Sequence, residues 1–520
     1  MITADIVGER ARITPDKTAL VYVPTGERFT YQELNERAIR CARLWTDVCG
    51  LKQGDRVAIL AQNSVEFLDA FLAAAKSGVI LVPLSTRYTP NEIEYILRDS
   101  GARALHYEEE FSENIRALKR MVRVRHWIAL GEPPAGVPPG HLSYKSCVIA
   151  LSSAGWQPPE CDPEDTHCLF YTSGTTGKPR GVVTPHRMIA WNAYNTVLNW
   201  EVRADDVSSI FTPLYHAGGL CTLLVPTLAA GGTAVLHRGF DAAEIWRAVE
   251  KEKCTLAVGV PTAWKMLADA PEFETVDLNH VRWFLCGGAP LPVPLIGIYQ
   301  QRGVVFKQGY GLTEVGVNCF AMTAEDAAAK AGSLGKPVMF TEVRLVDAEG
   351  RDVPRGEVGE LWFRGPHVCR GYWHNPEATA AALDKKGWFR TGDQALCDED
   401  GYYYVVGRTI DMFISGGVNV YPAEVERELE QHPGIQETAV IGVHHPTWGE
   451  VGVAFIVTRP GQNLTDELLA EFLSERLAKY KIPKEFFFVE ALPRNAYGKI
   501  AKAELREKYE TVKAAGAGIV

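Results

Sequence analysis

The densest group of chemically useful residues lies between Tyr171 and Gly181, where the chain reads Y-T-S-G-T-T-G-K-P-R-G. This stretch holds three glycines, four Ser or Thr hydroxyls and the cations Lys178 and Arg180. Glycine lets a backbone approach a ligand closely, and successive amide groups in such a turn form a concave anion site. The stretch therefore predicts a loop that binds phosphate groups.

Other interpretations of this stretch rest on composition or on different motifs. A surface turn rich in Gly, Ser and Thr stays open on composition alone, because such turns are common. The nucleotide loop G-x-x-x-x-G-K-[ST] would need a glycine and a hydroxyl at the positions that Thr172 and Pro179 occupy. Ser173 does not match the G-x-S-x-G elbow of a serine nucleophile. The spacing therefore excludes both of these motifs.

A second group of polar residues follows short apolar runs that read as strands. The run Arg282 to Cys286 ends at a Gly-Gly-Ala-Pro turn, and the run Val304 to Lys307 leads into Gln308 to Glu314. Ligands of open α/β sheets bind at the carboxyl ends of strands. In the second segment, Tyr310 can stack on a purine and Glu314 can hold Mg²⁺ beside phosphate oxygens. The two segments favour a nucleotide site.

Together, these motifs resemble those of the acyl-adenylate-forming superfamily, which contains acyl-CoA synthetases, adenylation domains of peptide synthetases and luciferases. The resemblance runs from the N-terminus to Lys499 and is closest to bacterial fatty-acyl-CoA and aryl-CoA synthetases. It implies that ATP and AMP are bound by Thr172, Ser173, Gly174, Thr175, Thr176, Gly177, Lys178, Gly287, Gly288, Ala289, Pro290, Gln308, Gly309, Tyr310, Gly311, Asp393 and Arg408. In the family, the carboxylate that matches Asp393 accepts hydrogen bonds from both ribose hydroxyls.

The resemblance also implies a catalytic set, which consists of Lys499, Thr313, Glu314 and His216. Lys499 closes the segment P-R-N-A-Y-G-K and would lie between the substrate carboxylate and the α-phosphate of ATP. Thr313 would hydrogen-bond that phosphate, and Glu314 would hold Mg²⁺. His216 would be the aromatic gate beside the carboxylate, although by itself it reads as a core histidine. Cations and donors aimed at developing charge are usually the largest catalytic contribution.

In the resembled family, the small domain then rotates and opens a tunnel for pantetheine, the thiol arm of coenzyme A. The resemblance assigns this tunnel to Gly416 and Gly417, since only glycine allows so close an approach. It assigns contacts with the CoA nucleotide to Trp448, Tyr480 and Lys481. The hinge falls at Ile410, where the family commonly has Asp or Lys. This departure leaves open how the hinge is tuned.

The elements that must position these residues alternate between helix-like and strand-like segments. Phe29 to Trp45 and Val65 to Lys76 predict helices, with short buried strands between such segments. This alternation implies parallel β/α units with both sheet faces covered. We therefore predict an α/β fold with a large N-terminal domain, residues 1–408, of β/α layers and a β-rich subdomain. A small, mobile α+β domain is predicted for residues 409–520.

Composition excludes several classes of function. The chain has 520 residues, of which 46% are hydrophobic and 23% charged, as in a soluble globular protein of more than one domain. Its net charge of −10 argues against nucleic acid as a partner. Its 11 cysteines include no C-x-x-C pair, which disfavours a zinc site and a disulfide framework.

The sequence shows no targeting signal, and we expect a cytoplasmic protein. Residues 1–15 lack the apolar segment of a signal peptide, and the apolar run Leu220 to Ala230 is too short to span a bilayer. A basic cluster between Arg116 and Arg125 is most simply a solvated face. A weak peripheral contact with a membrane and a homodimer both stay open.

These features predict an AMP-forming acyl-CoA synthetase that activates a small-molecule carboxylic acid with ATP and Mg²⁺ and transfers it to CoA. We expect the acyl pocket to contain small or neutral residues, namely Ala217, Gly218, Gly219, Val260, Gly309 and Val315 to Asn318. No cation is evident there for a second carboxylate, which disfavours a dicarboxylic acid. By resemblance, we expect a medium- to long-chain fatty acid. The alternatives are an aryl acid of the benzoate, cinnamate or ferulate type, the loading of a carrier protein, and non-catalytic nucleotide binding.

Overall fold

The computed structural model describes residues 4–133, 140–173, 179–288, 291, 293–408, 411–415, 418–495 and 499–515. The chain divides into two compact units. The first comprises Met1–Leu291, Leu295–Val343 and Phe363–Arg390, and the second comprises Pro292–Pro294, Arg344–Trp362 and Thr391–Val520.

The strands of the described residues are, in chain order, β1 (Thr18–Tyr22), β2 (Glu27–Thr30), β3 (Arg56–Leu60), β4 (Ile80–Pro83), β5 (Ala104–Tyr107), β6 (His126–Ala129), β7 (Leu142–Ser143), β8 (Thr166–Ser173), β9 (Pro179–Pro185), β10 (Val207–Ile210), β11 (Thr233–Leu236), β12 (Leu256–Gly259), β13 (Trp283–Cys286), β14 (Phe306–Gln308), β15 (Phe320–Ala321), β16 (Lys336–Pro337), β17 (Glu342–Val346), β18 (Gly359–Arg364), β19 (Phe389–Cys397), β20 (Tyr403–Arg408), β21 (Phe413–Ser415), β22 (Val418–Val420), β23 (Ile435–His445), β24 (Gly449–Thr458) and β25 (Glu485–Phe488).

The α-helices are α1 (Ile6–Ile13), α2 (Tyr31–Arg43), α3 (Val65–Ser77), α4 (Pro90–Ser100), α5 (Ser112–Met121), α6 (Tyr144–Ala150), α7 (His186–Asn199), α8 (Ala217–Gly219), α9 (Val225–Ala230), α10 (Ala242–Lys251), α11 (Pro261–Asp269), α12 (Glu272–Thr275), α13 (Val293–Gln301), α14 (Ala324–Ala329), α15 (Pro376–Ala382), α16 (Pro422–Leu429), α17 (Asp466–Ser474) and α18 (Lys502–Ala515). Short 3-10 segments lie at Glu109–Phe111 and Lys479–Lys481, and π-helical turns lie at Leu44–Val48 and Leu220–Leu224.

The first unit is built on two seven-stranded sheets. One has the strand order β14-β13-β12-β10-β11-β1-β2, and the other has the order β7-β6-β5-β3-β4-β8-β9. Their pairings are parallel except at one edge of each, where β2 runs antiparallel to β1 and β9 runs antiparallel to β8. Strands such as β12 and β13 are buried throughout, as parallel strands covered on both faces require. The predicted α/β class is confirmed.

Several helices begin and end at residues whose chemistry marks the boundary. Thr30 and Glu33 form a capping box at the start of α2, which begins at Tyr31 within the predicted range. This helix continues past Arg43 as a π-helical turn. The helix predicted over Val65 to Lys76 is α3, which ends before Gly78 in the left-handed conformation that favours glycine.

Helix α7 carries much of the wall of the site described below. It packs against α9 and the π-helical turn Leu220–Leu224. Apolar side chains such as Met188 and Ile189 are buried along it, and so are the polar side chains of Asn192, Asn195 and Thr196. Polar side chains are rarely this buried unless they are hydrogen-bonded or serve a ligand, so α7 is unusual for a core helix.

The second unit contains a four-stranded sheet of order β17-β18-β19-β20 and a sheet of order β22-β21-β24-β23, to which β25 adds beside β24. Successive residues of a strand point to opposite faces, so the latter sheet buries a core on each side. Helices α16 and α17 cover one face, and α18 covers the other. The predicted α+β character of the C-terminal part is confirmed, whereas a domain boundary at residue 408 stays a prediction.

None of the helices in the described part of the chain combines the length and apolar composition that crossing a bilayer requires. The run Leu220 to Ala230 instead forms the π-helical turn and the short helix α9. All of its residues except one are buried within the first unit, where they pack on α7. Its apolar character therefore serves the protein core.

Candidate active site

The predicted phosphate loop is the turn of the hairpin between β8 and β9. Thr172 and Ser173 end β8, with Thr172 paired to Arg180 and Ser173 paired to Pro179. Residues paired across antiparallel strands point to the same face, so the hairpin holds a hydroxyl and a cation side by side at the base of the turn. The other predicted loop residues lie outside the described part of the chain, namely Gly174, Thr175, Thr176, Gly177 and Lys178.

The carboxyl ends of β13 and β14 meet at one edge of their sheet. Cys286 pairs with Gln308, and the amide of Gly309 donates to the Cys286 carbonyl at 2.7 Å. Gly287 follows directly, and Gly288 has a φ of +81°, a left-handed conformation that favours glycine. These backbone segments therefore lie together, as predicted from the two strand ends. Ala289 and Pro290 lie outside the described residues.

A tight turn follows β14 and fixes the residues after it. The ring of Tyr310 lies nearly parallel to that of Phe363, with 6.1 Å between their centres, and edge-on to that of Phe320 at 5.8 Å. A side chain at Gly311 would collide with the carbonyl oxygen of Gly316, so the turn requires glycine at this position. Aromatic packing and the closed turn hold the segment from Tyr310 onward in a defined shape.

Glu314 is oriented by a tyrosine that sequence reasoning missed. The Tyr372 hydroxyl donates to Glu314 Oε1 at 3.0 Å. Burial raises the pKa of Tyr372, and the neighbouring Glu314 carboxylate raises it further, so the phenol keeps its proton. The guanidinium of Arg180 lies 5.6 Å from the centre of the same ring. Tyr372 therefore connects the phosphate hairpin to the predicted magnesium ligand.

The backbone explains how Tyr372 reaches this position. The amide of Arg370 donates to the Val183 carbonyl at 3.1 Å, and that of Trp373 donates to the Gly181 carbonyl at 2.7 Å. The segment 370–373 thus runs along β9, although the two are far apart in the sequence. No local motif marks Tyr372, because its partners are distant along the chain.

Thr313 lines a narrow cavity that has a volume of about 10 Å³. Three of the residues expected at the acyl pocket line it, namely Ala217, Gly316 and Val317. Met188 and Asn192 of α7 form the opposite wall. His216 directly precedes Ala217, is half-buried, and lies edge-on to Tyr215 with 4.6 Å between ring centres. Thr313 and these three residues are therefore brought together, whereas the other residues expected at the acyl pocket do not line this cavity.

In the second unit, Asp393 and Arg408 lie opposite each other on β19 and β20. Arg408 Nε lies 2.9 Å from Asp393 Oδ1. The backbone amide of Asp393 donates to Thr391 Oγ1 at 3.0 Å. Asp393 is 4% exposed, while the Arg408 side chain is 47% exposed. The two predicted ribose ligands are therefore one ion pair in which the carboxylate is buried and held by its partner.

Lys499 lies in the loop between β25 and α18, and it is exposed. Its amide donates to Asn495 Oδ1 at 3.1 Å, and the Asn495 amide donates to the Lys499 carbonyl at 2.9 Å. The amide of Ala501 donates to the Pro493 carbonyl at 2.8 Å, which closes the base of the loop. Backbone bonds therefore hold Lys499 at a defined position on its own unit.

The residues predicted to meet CoA fall in the same unit. Trp448 is 50% exposed in the turn between β23 and β24. Ser415, the residue before the two predicted tunnel glycines, pairs with Gly449 beside that turn. Tyr480 is 39% exposed, and Lys481 Nζ lies 2.6 Å from Glu424 Oε1. The hinge and tunnel residues Ile410, Gly416 and Gly417 lie outside the described residues.

The donor set suits a magnesium ion that is shared with phosphates. Among the residues that the structure describes, no three His, Cys, Asp or Glu side chains group as a metal cage. Mg²⁺ is usually bound through one or two carboxylates together with substrate phosphates, so a closed protein cage is not required. Glu314, with one oxygen accepting from Tyr372, supplies such a carboxylate beside the phosphate hairpin.

Replacing Tyr372 with phenylalanine tests how Glu314 is oriented. We expect Tyr372→Phe to slow pyrophosphate release about tenfold and to raise the Mg²⁺ concentration needed for half-maximal rate, because a hydrogen-bond donor to a metal-binding carboxylate holds that carboxylate in position. Tyr402→Phe is the control, because it removes the hydroxyl of a tyrosine that belongs to the second unit. An unchanged Mg²⁺ dependence in Tyr372→Phe would show that the hydrogen bond does not position the ligand.

Two protein-family models match the chain. The model described as AMP-binding enzyme matches residues 7–373, and the AMP-binding enzyme C-terminal domain matches residues 424–499. Feruloyl-CoA synthase of an Amycolatopsis species is 41% identical over 504 residues, which cover 96% of this chain and 97% of that protein. The long-chain-fatty-acid–CoA ligase FadD13 of Mycobacterium tuberculosis is 38% identical over 503 residues, with the same coverage of 96% and 97%.

Solved structures agree with these matches. ATP-bound MatB from Rhodopseudomonas palustris superposes with a TM-score of 0.88 at 32% identity, covering 98% of this chain and 99% of the MatB chain. CoA ligases of this family use ATP, Mg²⁺ and CoA, so the predicted cofactor and co-substrates are confirmed. The chain therefore belongs to the AMP-binding enzyme family and is an AMP-forming acid–thiol ligase.

Proposed function

We propose that this ligase activates an aryl carboxylic acid of the ferulate type and transfers it to coenzyme A. The observation that carries the proposal is the 41% identity to feruloyl-CoA synthase across nearly the whole of both chains. The long-chain fatty-acyl ligase FadD13 reaches 38% over the same share. This order favours the aryl alternative over the fatty acid expected from the sequence.

Activation of a carboxylate by ATP brings two anions together, because the carboxylate oxygen attacks the α-phosphorus while pyrophosphate leaves. We assign the departing phosphates to the hairpin residues Thr172 to Lys178 and the α-phosphate to Thr313. Charge accumulates on this phosphate in the transition state, and preorganised donors and cations aimed at it lower the barrier. Thr313 lines the cavity, which supports this assignment, because the carboxylate of the substrate must lie beside the α-phosphate.

Glu314 would hold Mg²⁺, which when bound neutralises phosphate charge as the reaction proceeds. Tyr372 supports this role by fixing the carboxylate through a hydrogen bond of 3.0 Å. The adenine would lie against Tyr310 and the backbone of Gly287 to Pro290 and Gln308 to Gly311. His216, directly before a residue of the cavity wall, is assigned as the gate beside the substrate carboxylate.

The ribose hydroxyls would bind the Asp393 carboxylate, with Arg408 as a second contact. An acceptor-only carboxylate can accept hydrogen bonds from both hydroxyls of a ribose. The 2.9 Å ion pair supports this role, since Arg408 holds the buried carboxylate in one orientation. Lys499 would supply the cation between the substrate carboxylate and the α-phosphate.

Thioester formation would follow a rotation of the small domain, which we assign to residues 409–520 with the hinge at Ile410. The CoA thiol then attacks the acyl carbonyl, and AMP leaves. Gly416 and Gly417 would line the pantetheine tunnel, and Trp448, Tyr480 and Lys481 would meet the nucleotide of CoA. The pairing of Ser415 with Gly449 supports grouping the tunnel with Trp448. Lys481 is held by Glu424, so a CoA phosphate would have to compete with that carboxylate.

A fatty acid is the second candidate substrate, favoured by the 38% identity to FadD13. Thioester formation distinguishes the two, measured by mass spectrometry with ferulate, cinnamate, benzoate, octanoate and palmitate at equal concentration. We expect kcat/KM for ferulate to exceed that for either fatty acid by at least about tenfold, since a pocket shaped for one acyl group discriminates by this order. Faster thioester formation from palmitate would contradict the proposal. Pyrophosphate release without any thioester would instead indicate loading of a carrier protein.

A further inference from the structure

We propose that Asn195 and Asn318 form the polar end of the acyl cavity and hydrogen-bond a hydroxyl group on the far side of the substrate's aromatic ring. This inference rests on the proposed function, because it specifies which aryl acid the site accepts. It concerns side chains that the adenylation chemistry does not use.

Residues of α7, Thr313 and the segment 316–317 all line the cavity. Asn192 ties these walls together, because its Nδ2 donates to the Cys221 carbonyl at 2.7 Å and its Oδ1 accepts from the Val317 amide at 3.1 Å. Both atoms of the Asn192 amide group are thus used within the protein. Asn192 therefore joins α7 to the segment 316–317 and to Cys221.

Asn318 lies directly beyond this wall. Its Nδ2 donates to Thr196 Oγ1 at 2.9 Å and to the Thr222 carbonyl at 3.0 Å. Asn318 and Thr222 each follow a cavity-lining residue in the chain, and Thr196 lies one helical turn after Asn192. Three separate connections therefore place Asn318 directly behind residues that line the cavity, which it does not itself line.

Asn195 likewise lies next to residues of α7 that line the cavity, without lining it itself. It comes three residues after Asn192 and seven after Met188, so it shares the face of α7 that lines the cavity. Asn195 is 1% exposed and Asn318 is 4% exposed. Both side-chain amide atoms of Asn195 and the Oδ1 of Asn318 are buried without a hydrogen-bond partner.

Buried amide groups without partners are costly, and native proteins pair nearly all of them. A hydroxyl on the substrate can accept from Asn195 Nδ2 and donate to the Oδ1 of Asn195 or Asn318. The methyl end of a fatty acid can do neither, and an unsubstituted ring would leave the same atoms unpaired. The site is therefore chemically suited to a hydroxylated ring.

Entry of a ring requires the walls to separate, because the cavity as it stands has a volume of about 10 Å³, which is room for about one water molecule. Met188 forms part of the wall, and the flexible thioether side chain of methionine repacks readily. Gly316 contributes no side chain to the opposite wall. These residues give the cavity a way to widen without disturbing Asn195 or Asn318.

The test compares 4-hydroxycinnamate with 4-methylcinnamate, which has nearly the same shape but no hydroxyl. We expect wild-type kcat/KM for thioester formation to favour the hydroxylated acid by at least about tenfold, since a site built to hydrogen-bond a hydroxyl rejects analogues that lack it. Asn195→Leu and Asn318→Leu are each expected to reduce this ratio to about one, mainly through KM.

Asn199→Ala is the matched control on the same helix. Its amide groups are already paired, since Nδ2 donates to the Asn195 carbonyl at 2.8 Å and Oδ1 accepts from the Met339 amide at 3.1 Å. We expect it to keep the wild-type ratio. Turnover of 4-methylcinnamate by the Leu variants shows that they are folded. If a Leu variant does not fold, Asn195→Ala is tested in its place.

Equal use of the two acids by the wild-type enzyme would overturn this inference while leaving the proposed function intact. An unchanged ratio in folded Asn195 and Asn318 variants would overturn it as well. Failure of every aryl acid to form a thioester, with turnover of fatty acids, would overturn both. The wild-type comparison decides the matter even if no variant folds.

Discussion

Lys499→Ala is expected to slow formation of the acyl-adenylate by at least about 100-fold, while thioester formation from supplied acyl-adenylate stays within about threefold of wild type. The reason is electrostatic. Lys499 is proposed to stabilise charge that develops as the carboxylate attacks the α-phosphate, and the second half-reaction involves no such attack. The loss should therefore fall on one half-reaction alone.

Two assays separate the half-reactions. Pyrophosphate release reports adenylation, and release of AMP from synthetic acyl-adenylate with CoA reports thioester formation. Lys484→Ala is the control, because Lys484 is an exposed lysine that precedes β25 on the same unit and is given no role. Equal losses in both assays would contradict the role assigned to Lys499, and no loss in either would remove it from the active site.

Glu314→Gln is the second prediction with a large effect. Glutamine keeps the shape and the hydrogen bond from Tyr372 but removes the charge that Mg²⁺ prefers in a ligand. We expect adenylation to fall by at least about 100-fold, with a steep rise in the Mg²⁺ concentration required. The protein should keep its thermal stability within about 2 °C, since glutamine fills the same space and keeps the hydrogen bond from Tyr372.

Glu342→Gln is the matched control for this variant. Glu342 pairs with Arg364 on the protein surface, and exposed pairs of this kind contribute little to stability. It should leave both the rate and the Mg²⁺ dependence unchanged. If Glu314→Gln required no more Mg²⁺ than wild type, the carboxylate would not be the ligand, whatever its effect on rate.

The effect of Glu314→Gln can be combined with the smaller effect expected for Tyr372→Phe. Tyr372 acts on the metal only through Glu314, so the double variant with Glu314→Gln should lose little more than Glu314→Gln alone. Residues that act through one another are non-additive, whereas independent residues add. Additive losses would indicate that Tyr372 contacts the substrate directly.

Much of the fold could be predicted because its signals are local. Thr30 and Glu33 lie within one turn, and their capping box starts α2 whatever the rest of the chain does. Buried runs such as β12 and β13 follow from short apolar stretches. The end of α2 was predicted less well, because its continuation as a π-helical turn depends on packing against neighbours.

The candidate site was predictable only where a motif is continuous. The hairpin residues Thr172 and Ser173 and the turn from Tyr310 to Glu314 carry their chemistry in adjacent positions. Tyr372 was missed because it meets Glu314 across 58 positions of the chain. Asn195 was missed for a similar reason. The sequence of a helix does not show whether one of its asparagines is buried or whether its side-chain amide has hydrogen-bond partners.

The sequence by itself determined the family, the order of the motifs and the kind of chemistry, because these depend on residue types at short spacing. Tertiary structure alone decided that Asp393 and Arg408 form an ion pair, that Tyr372 orients Glu314, and that both side-chain amide atoms of Asn195 and the Oδ1 of Asn318 are buried without a hydrogen-bond partner. Each of these facts depends on contacts between distant segments, whose formation is governed by packing of the whole unit rather than by neighbours in the chain.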